Sequence, residues 1–122
     1  MPKPLIRASF ILDKQGRPIA IQSGGTKHYR IKLHVEDVPE DAHAVTYELH
    51  ESYYDPIREV RRDVPNFEEE ITSYGDYDLK IRVRRKNRVD LATTTLGRAL
   101  ENAYKDSMTP MVREAIDEIK SD

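Results

Sequence analysis

The sequence predicts an all-β domain, an antiparallel β-sandwich followed by two short C-terminal α-helices. Three observations predict it. Apolar residues alternate with polar ones in several short runs, the period-two signature of strands with one buried face. Turn formers separate these runs at close intervals with no helical stretch between them, which favours antiparallel neighbours over parallel strands joined by helices. Beyond residue 90 the apolar spacing becomes helical.

Residues 5–12 and 19–22 are two apolar runs around Asp13-Lys14-Gln15-Gly16-Arg17-Pro18, a hairpin pattern. Ser23-Gly24-Gly25 breaks the chain again. Tyr29, Ile31, Leu33 and Val35 then alternate with Arg30, Lys32, His34 and Glu36 in a third strand. Val38-Pro39-Glu40-Asp41 turns into a strand over 44–50, where Val45, Tyr47 and Leu49 alternate with Thr46, Glu48 and His50. Ser52-Tyr53-Tyr54-Asp55-Pro56 ends it. Ile57 and Val60, then Phe67 and Ile71 among acids, predict two shorter strands. After the turn Ser73-Tyr74-Gly75-Asp76, Tyr77, Leu79, Ile81 and Val83 alternate with Asp78, Lys80, Arg82 and Arg84. Two regular strands therefore each carry a tyrosine, Tyr53 or Tyr74, on an adjoining loop.

Ala92-Thr93-Thr94-Thr95 offers hydroxyl caps, and Leu96, Leu100, Ala103 and Tyr104 repeat at helical spacing to about Asp106. Thr109-Pro110 opens a second helix, with proline at the first helical position where its missing N–H costs nothing. Met111, Val112, Ala115, Ile116 and Ile119 form one apolar stripe. Helices of about 12 residues are marginal alone. They are expected to cover the sandwich or to meet a partner, a homodimer through these helices being one such arrangement. The chain divides accordingly into a sandwich, 1–90, and a helical extension, 91–122.

A chain of 122 residues forms one domain with a single core. Charged residues make up 34% and hydrophobic ones 38%, the balance of a globular protein with a well-solvated surface. Twenty basic and twenty-two acidic residues leave a net charge of −2, so no global field recruits nucleic acid or acidic lipid. The absence of cysteine excludes disulfides, thiolate ligands and cysteine catalysis. No apolar run approaches the roughly 20 residues of a membrane span, and Met-Pro-Lys-Pro-Leu-Ile-Arg has no signal-peptide core. The expectation is an unprocessed cytoplasmic protein.

Leu49-His50-Glu51-Ser52-Tyr53, then Asp55-Pro56-Ile57-Arg58, Phe67, and Tyr74-Gly75-Asp76-Tyr77, resemble the core of the YEATS domain, in particular its prokaryotic branch. Thr26-Lys27-His28-Tyr29-Arg30-Ile31-Lys32-Leu33 is similar to an earlier strand of that family. The resemblance spans residues 26–84 and implies an immunoglobulin-like sandwich. It also implies a recognition module without catalytic activity or cofactor, whose partner is a protein bearing a lysine or acyl-lysine side chain. By position, Ser52 is the hydroxyl and Tyr53 and Tyr74 are the aromatic walls. His50 supports them, and Gly75 or Asp76 gives a backbone donor. Acylation removes the lysine charge and leaves a flat amide that can stack on rings while its oxygen accepts hydrogen bonds. Gly24-Gly25 stand where other members place a further aromatic, Ser73 stands where glycine is common, and Glu51, Asp55 and Asp76 are expected to ring the mouth with acid. Such a rim would suit a free lysine or arginine. Without the resemblance, the two loop tyrosines read as packing or loop anchors rather than as a cage.

Other chemistry is weaker. His50, Ser52 and Asp55 contain the residue types of a nucleophilic triad but crowd into six positions. His28, His34, His43 and His50 lack the spacing of a metal site. Lys80, Arg82, Arg84 and Arg85, continued by Lys86 and Arg88, make a basic stripe with Arg58, Arg61 and Arg62 beside it. It reads as a solvated strand face opposed by Glu68, Glu69 and Glu70, or as a partner or phosphate-contact face. Nucleic acid is not the expected partner. The structural alternative to a reader is an assembly subunit using its sheet edge and helices.

Overall fold

The computed structural model describes residues 4–121, so the sequence readings at Met1, Pro2, Lys3 and Asp122 lie outside the described residues. Two antiparallel sheets face each other. The first holds β1 (Leu5–Phe10), β2 (Ala20–Ser23), β3 (Thr26–Glu36) and β6 (Glu69–Ser73). The second has the order β5-β4-β7-β8, from β4 (Ala44–Glu48), β5 (Ile57–Arg61), β7 (Asp78–Arg84) and β8 (Val89–Thr95).

The long strand β3 organises the first sheet. β6 pairs with it from Tyr29↔Ser73 to Leu33↔Glu69. On the opposite edge, β1 pairs with residues 31–36 of β3 and β2 with residues 26–29, so β1 and β2 lie end to end. The expected hairpin is therefore confined to the excursion between them. It closes through the Leu12↔Pro18 bridge and the Ile19 N–H to Ile11 C=O bond of 2.8 Å. Asp13 knots its tip by accepting the amides of Gln15 and Arg17, each at 2.9 Å.

Alternation put the right side chains inside. Ile31, Leu33 and Val35 of β3 meet Val45 and Tyr47 of β4 and Leu79, Ile81 and Val83 of β7 in one buried core. Phe67 joins it from a 3-10 turn, Pro65–Phe67, rather than from a strand. Asn66 and Phe67 both have positive φ, 55° and 53°. A bulky residue is seldom held there, and the buried Tyr47 hydroxyl fixes it by donating to the Phe67 carbonyl at 2.6 Å.

The division at residue 90 falls inside β8, which pairs with β7 from Asp78↔Thr95 to Arg84↔Val89. Only Thr95 of the hydroxyl run is a helix cap, accepting from Arg98 N. β8 escaped detection because it is an outer strand whose Val89, Leu91 and Thr93 are exposed, leaving no buried apolar face to create a pattern. Helix α1 (Leu96–Ala103) ends earlier than expected, because Tyr104 turns away to receive the Phe10 amide on its hydroxyl at 2.9 Å. Helix α2 (Pro110–Lys120) starts as expected, with Thr109 accepting from Val112 N.

Both helices are covered within the chain. Leu96, Leu100, Val112, Ile116 and Ile119 lie in the sandwich core, which leaves only Met111 of the stripe exposed. Arg7 donates to the Asn102 carbonyl at 2.6 Å, so α1 covers the outer edge of β1. A homodimer through the apolar stripe would have to displace this packing. Among the described residues, no helix is long and apolar enough to cross a membrane.

Candidate functional site

The β4–β5 and β6–β7 loops meet at one end of the sandwich and enclose a cleft of about 450 Å³. His50, Ser52, Tyr53, Tyr74, Gly75 and Asp76 all line it. His28, Tyr54, Thr72, Ser73 and Tyr77 complete the lining, and sequence reasoning had not placed these in the site.

The first wall is built on the free edge of β6. Tyr53 donates its hydroxyl to the Thr72 carbonyl at 2.6 Å, and Arg58 donates to the Glu70 carbonyl at 3.2 Å. Two outward carbonyls of an edge strand are thereby satisfied, which closes that edge and fixes the tyrosine. The Arg58 guanidinium also lies 5.7 Å from the Tyr53 ring centroid. Tyr77 supports the wall from behind. Its ring meets those of Tyr53 and His50 edge-on at 5.7 and 6.0 Å, and its hydroxyl donates to that of Tyr53 at 3.3 Å. Burial holds the Tyr77 phenol well above its usual range, so it remains a neutral donor.

His50 and Ser52 form a local pair. The Ser52 amide donates to His50 Nδ1 at 3.1 Å, which requires that nitrogen to be an acceptor. The Ser52 hydroxyl lies 2.8 Å from the same nitrogen and therefore donates to it. The lone pairs of Oγ are then left for an incoming N–H. No carboxylate among the described residues is hydrogen-bonded to the His50 ring, so the arrangement lacks the acid that orients a catalytic base.

The second wall is the turn after β6. Tyr74 is half exposed and its ring meets His28 of β3 edge-on at 5.2 Å. Ser73 is buried, donates to the Gly75 carbonyl at 2.8 Å and accepts the Gly75 amide at 3.3 Å. It thus fastens the turn at a position where glycine was expected. The Asp76 carboxylate accepts from the amides of Tyr77 and Gly97, at 2.9 and 2.8 Å.

Of the three acids expected around the mouth, only Asp76 lines the cleft itself. Glu51 and Asp55 do not line the cleft, and the one acid that does, Asp76, has its Oδ1 committed to backbone amides. Gly24 and Gly25 do not line it either, and a Cβ on each would meet nothing within 4 Å.

The basic stripe is paired with different acids from those expected. Arg82 binds Glu48 at 3.0 Å, Arg84 binds Glu59 at 3.3 Å, and Arg85 binds Asp41 and Asp90 at 2.8 and 3.2 Å. Lys80 lies opposite Glu48 in the register. Glu70 belongs to the other sheet and Glu68 immediately precedes its strand β6; they pair with Arg30 and Lys32 of β3. Position along the strands, not proximity in sequence, chose the partners.

The model of the prokaryotic YEATS domain matches residues 28–93, which contain every lining residue of the cleft. The chain belongs to this family. Among solved structures, the Yaf9 YEATS domain recognizing an H3K122suc peptide is 21% identical, with a TM-score of 0.55 over 77% of this chain and 71% of that one. The yeast AF-9 homolog protein Yaf9 is likewise 21% identical, with a TM-score of 0.54 over 76% of this chain and 69% of that one. These likenesses establish the YEATS fold, an immunoglobulin-like sandwich. No curated protein matches the chain. The YEATS match stops inside β8, so β1, β2 and both helices lie outside it.

Proposed function

We propose that this YEATS domain is a non-enzymatic reader of an acylated lysine side chain on a protein. One observation carries the reading. A single cleft unites a hydroxyl poised to accept an N–H, the backbone of the Tyr74–Asp76 turn, and tyrosines on both sides. An acylated lysine tip presents the matching groups: an amide N–H, an amide oxygen and a flat acyl face. Ser52 Oγ takes the N–H, the Asp76 amide gives a donor to the oxygen while Ser73 holds that of Gly75, and Tyr53 and Tyr74 flank the acyl group.

The ligand is neutral. An ammonium would lose hydration in the cleft, and no carboxylate free of backbone partners lines it to compensate. Family membership and the Yaf9 likeness support the same reading. About 8 heavy atoms at about 0.7 kcal/mol each give an affinity near 100 μM, so contacts flanking the lysine supply selectivity.

NMR titration with acetyl-lysine, crotonyl-lysine and unmodified lysine peptides tests this. Saturable shifts at Ser52, Tyr53, Tyr74 and Gly75 with the acylated peptides are expected. Silence at millimolar concentration for all three sinks the reading, and preference for the unmodified peptide reverses the choice of ligand.

A further inference from the structure

The C-terminal helices lie outside the family match, yet α1 is bonded to two residues that line the cleft, Asp76 and Tyr77. Three successive amides at the start of α1 are satisfied: Leu96 by the Tyr77 carbonyl at 3.0 Å, Gly97 by Asp76 Oδ1 at 2.8 Å, and Arg98 by Thr95 Oγ1 at 3.2 Å. Two of these acceptors belong to the segment that forms the cleft wall. The Asp76 carboxylate also complements the positive end of the helix dipole.

Gly97 is buried, and a side chain there would displace its neighbours. A Cβ there would lie 2.9 Å from Asp76 Oδ2 and 2.8 Å from Lys120 Cγ. Lys120 is held in turn by Glu101 at 3.0 Å, which ties α2 to α1 over the same point. Asp76, α1 and α2 therefore converge on one glycine, and of these Asp76 also lines the cleft.

We propose that Gly97 is a positioning residue for the cleft, and that the helical pair sets the pose of the Tyr74–Asp76 turn through the Asp76–Gly97 contact. The consequence for ligand affinity rests on the acyl-lysine reading above; the coupling of helix to turn does not. A side chain at Gly97 pushes Asp76 away from α1 and carries the backbone donor and Tyr74 with it.

The test compares the full chain with Gly97→Ala, Asp76→Ala and Asp76→Asn, first without ligand and then with a crotonyl-lysine peptide. In ligand-free NMR spectra, Gly97→Ala is expected to shift the amides of Tyr74, Gly75 and Asp76 while those of β4 stay in place. Unmoved turn amides in a folded Gly97→Ala protein overturn the coupling, whether or not any peptide binds. If Gly97→Ala does not fold, the Asp76 pair decides it. Asp76→Ala should shift the Gly97 amide and weaken peptide binding about tenfold, and Asp76→Asn, which keeps an Oδ1 acceptor, should recover most of both. Equal binding by wild type and Asp76→Ala overturns the effect on the cleft. A wild type that binds no peptide defeats the acyl-lysine reading instead, and the ligand-free shifts still decide the coupling.

Discussion

Ser52 and Tyr53 are neighbours, but different forces hold them. Ser52 is exposed and oriented by His50 alone, so Ser52→Ala should leave stability nearly unchanged and remove one ligand hydrogen bond. A five- to tenfold loss of affinity for an acylated peptide is expected, on the order of 1 kcal/mol; calorimetric titration checks it. Tyr53→Phe keeps the ring and removes the bond to Thr72. Thermal or urea unfolding should show a loss of about 1 kcal/mol from the unpaired edge carbonyl, together with weaker peptide binding as the wall loosens. Unchanged stability would mean that water replaces the phenol at the β6 edge. Tyr53, Tyr74 and Ser52 were legible because they stand in loop motifs beside regular strands. Tyr77 was not, because its place at the start of an alternating run made it look like ordinary core. Its support of two site rings exists only after β7 is laid beside the β4–β5 loop.

At the scale of elements, the strained turn before β6 depends on a residue from the opposite sheet. Tyr47→Phe leaves the Phe67 carbonyl without its buried donor, and a cost of about 1–3 kcal/mol is expected in urea unfolding. A loss confined to a few tenths would show that the turn holds its conformation unaided. The second helix has a local determinant instead. Thr109→Ala removes the cap on Val112 N and should cost about 1 kcal/mol. The sequence marked this start because Thr-Pro acts within one turn of chain. It missed β8 because an outer strand with an exposed face owes its existence to the neighbour it pairs with.

For the whole molecule, the tyrosines connect stability to alkaline pH. Burial raises the phenols of Tyr29, Tyr47, Tyr77 and Tyr104 above the ordinary value of 10.0, with nearby Glu118 adding to the effect at Tyr29. Raised folded-state values mean that the stability they contribute is fully present below pH 10 and is lost as the pH climbs above it. Phenolate absorbance and circular dichroism followed together should show Tyr29, Tyr47 and Tyr77 ionising only as the fold opens. Full tyrosine ionisation with an intact circular dichroism spectrum would contradict the burial assigned to them. The single core spanning sandwich and helices makes one cooperative transition the expectation.

The sequence by itself determined the strands whose side chains alternate between core and solvent, the capped start of α2, and the loop motifs that carry the cleft. All of these are written in short-range periodicity or local hydrogen bonding. Tertiary structure decided what depends on partners distant in the chain. It placed β1 and β2 end to end on β3, distributed the acids among the arginines, and turned the helices' apolar stripe into the protein's own core. Most consequentially, it kept Asp76 at the cleft but committed its Oδ1 to the Gly97 amide, 21 residues away. A carboxylate's charge can be read from its residue type, but whether that charge faces a ligand or a helix end depends on which amides folding brings within reach.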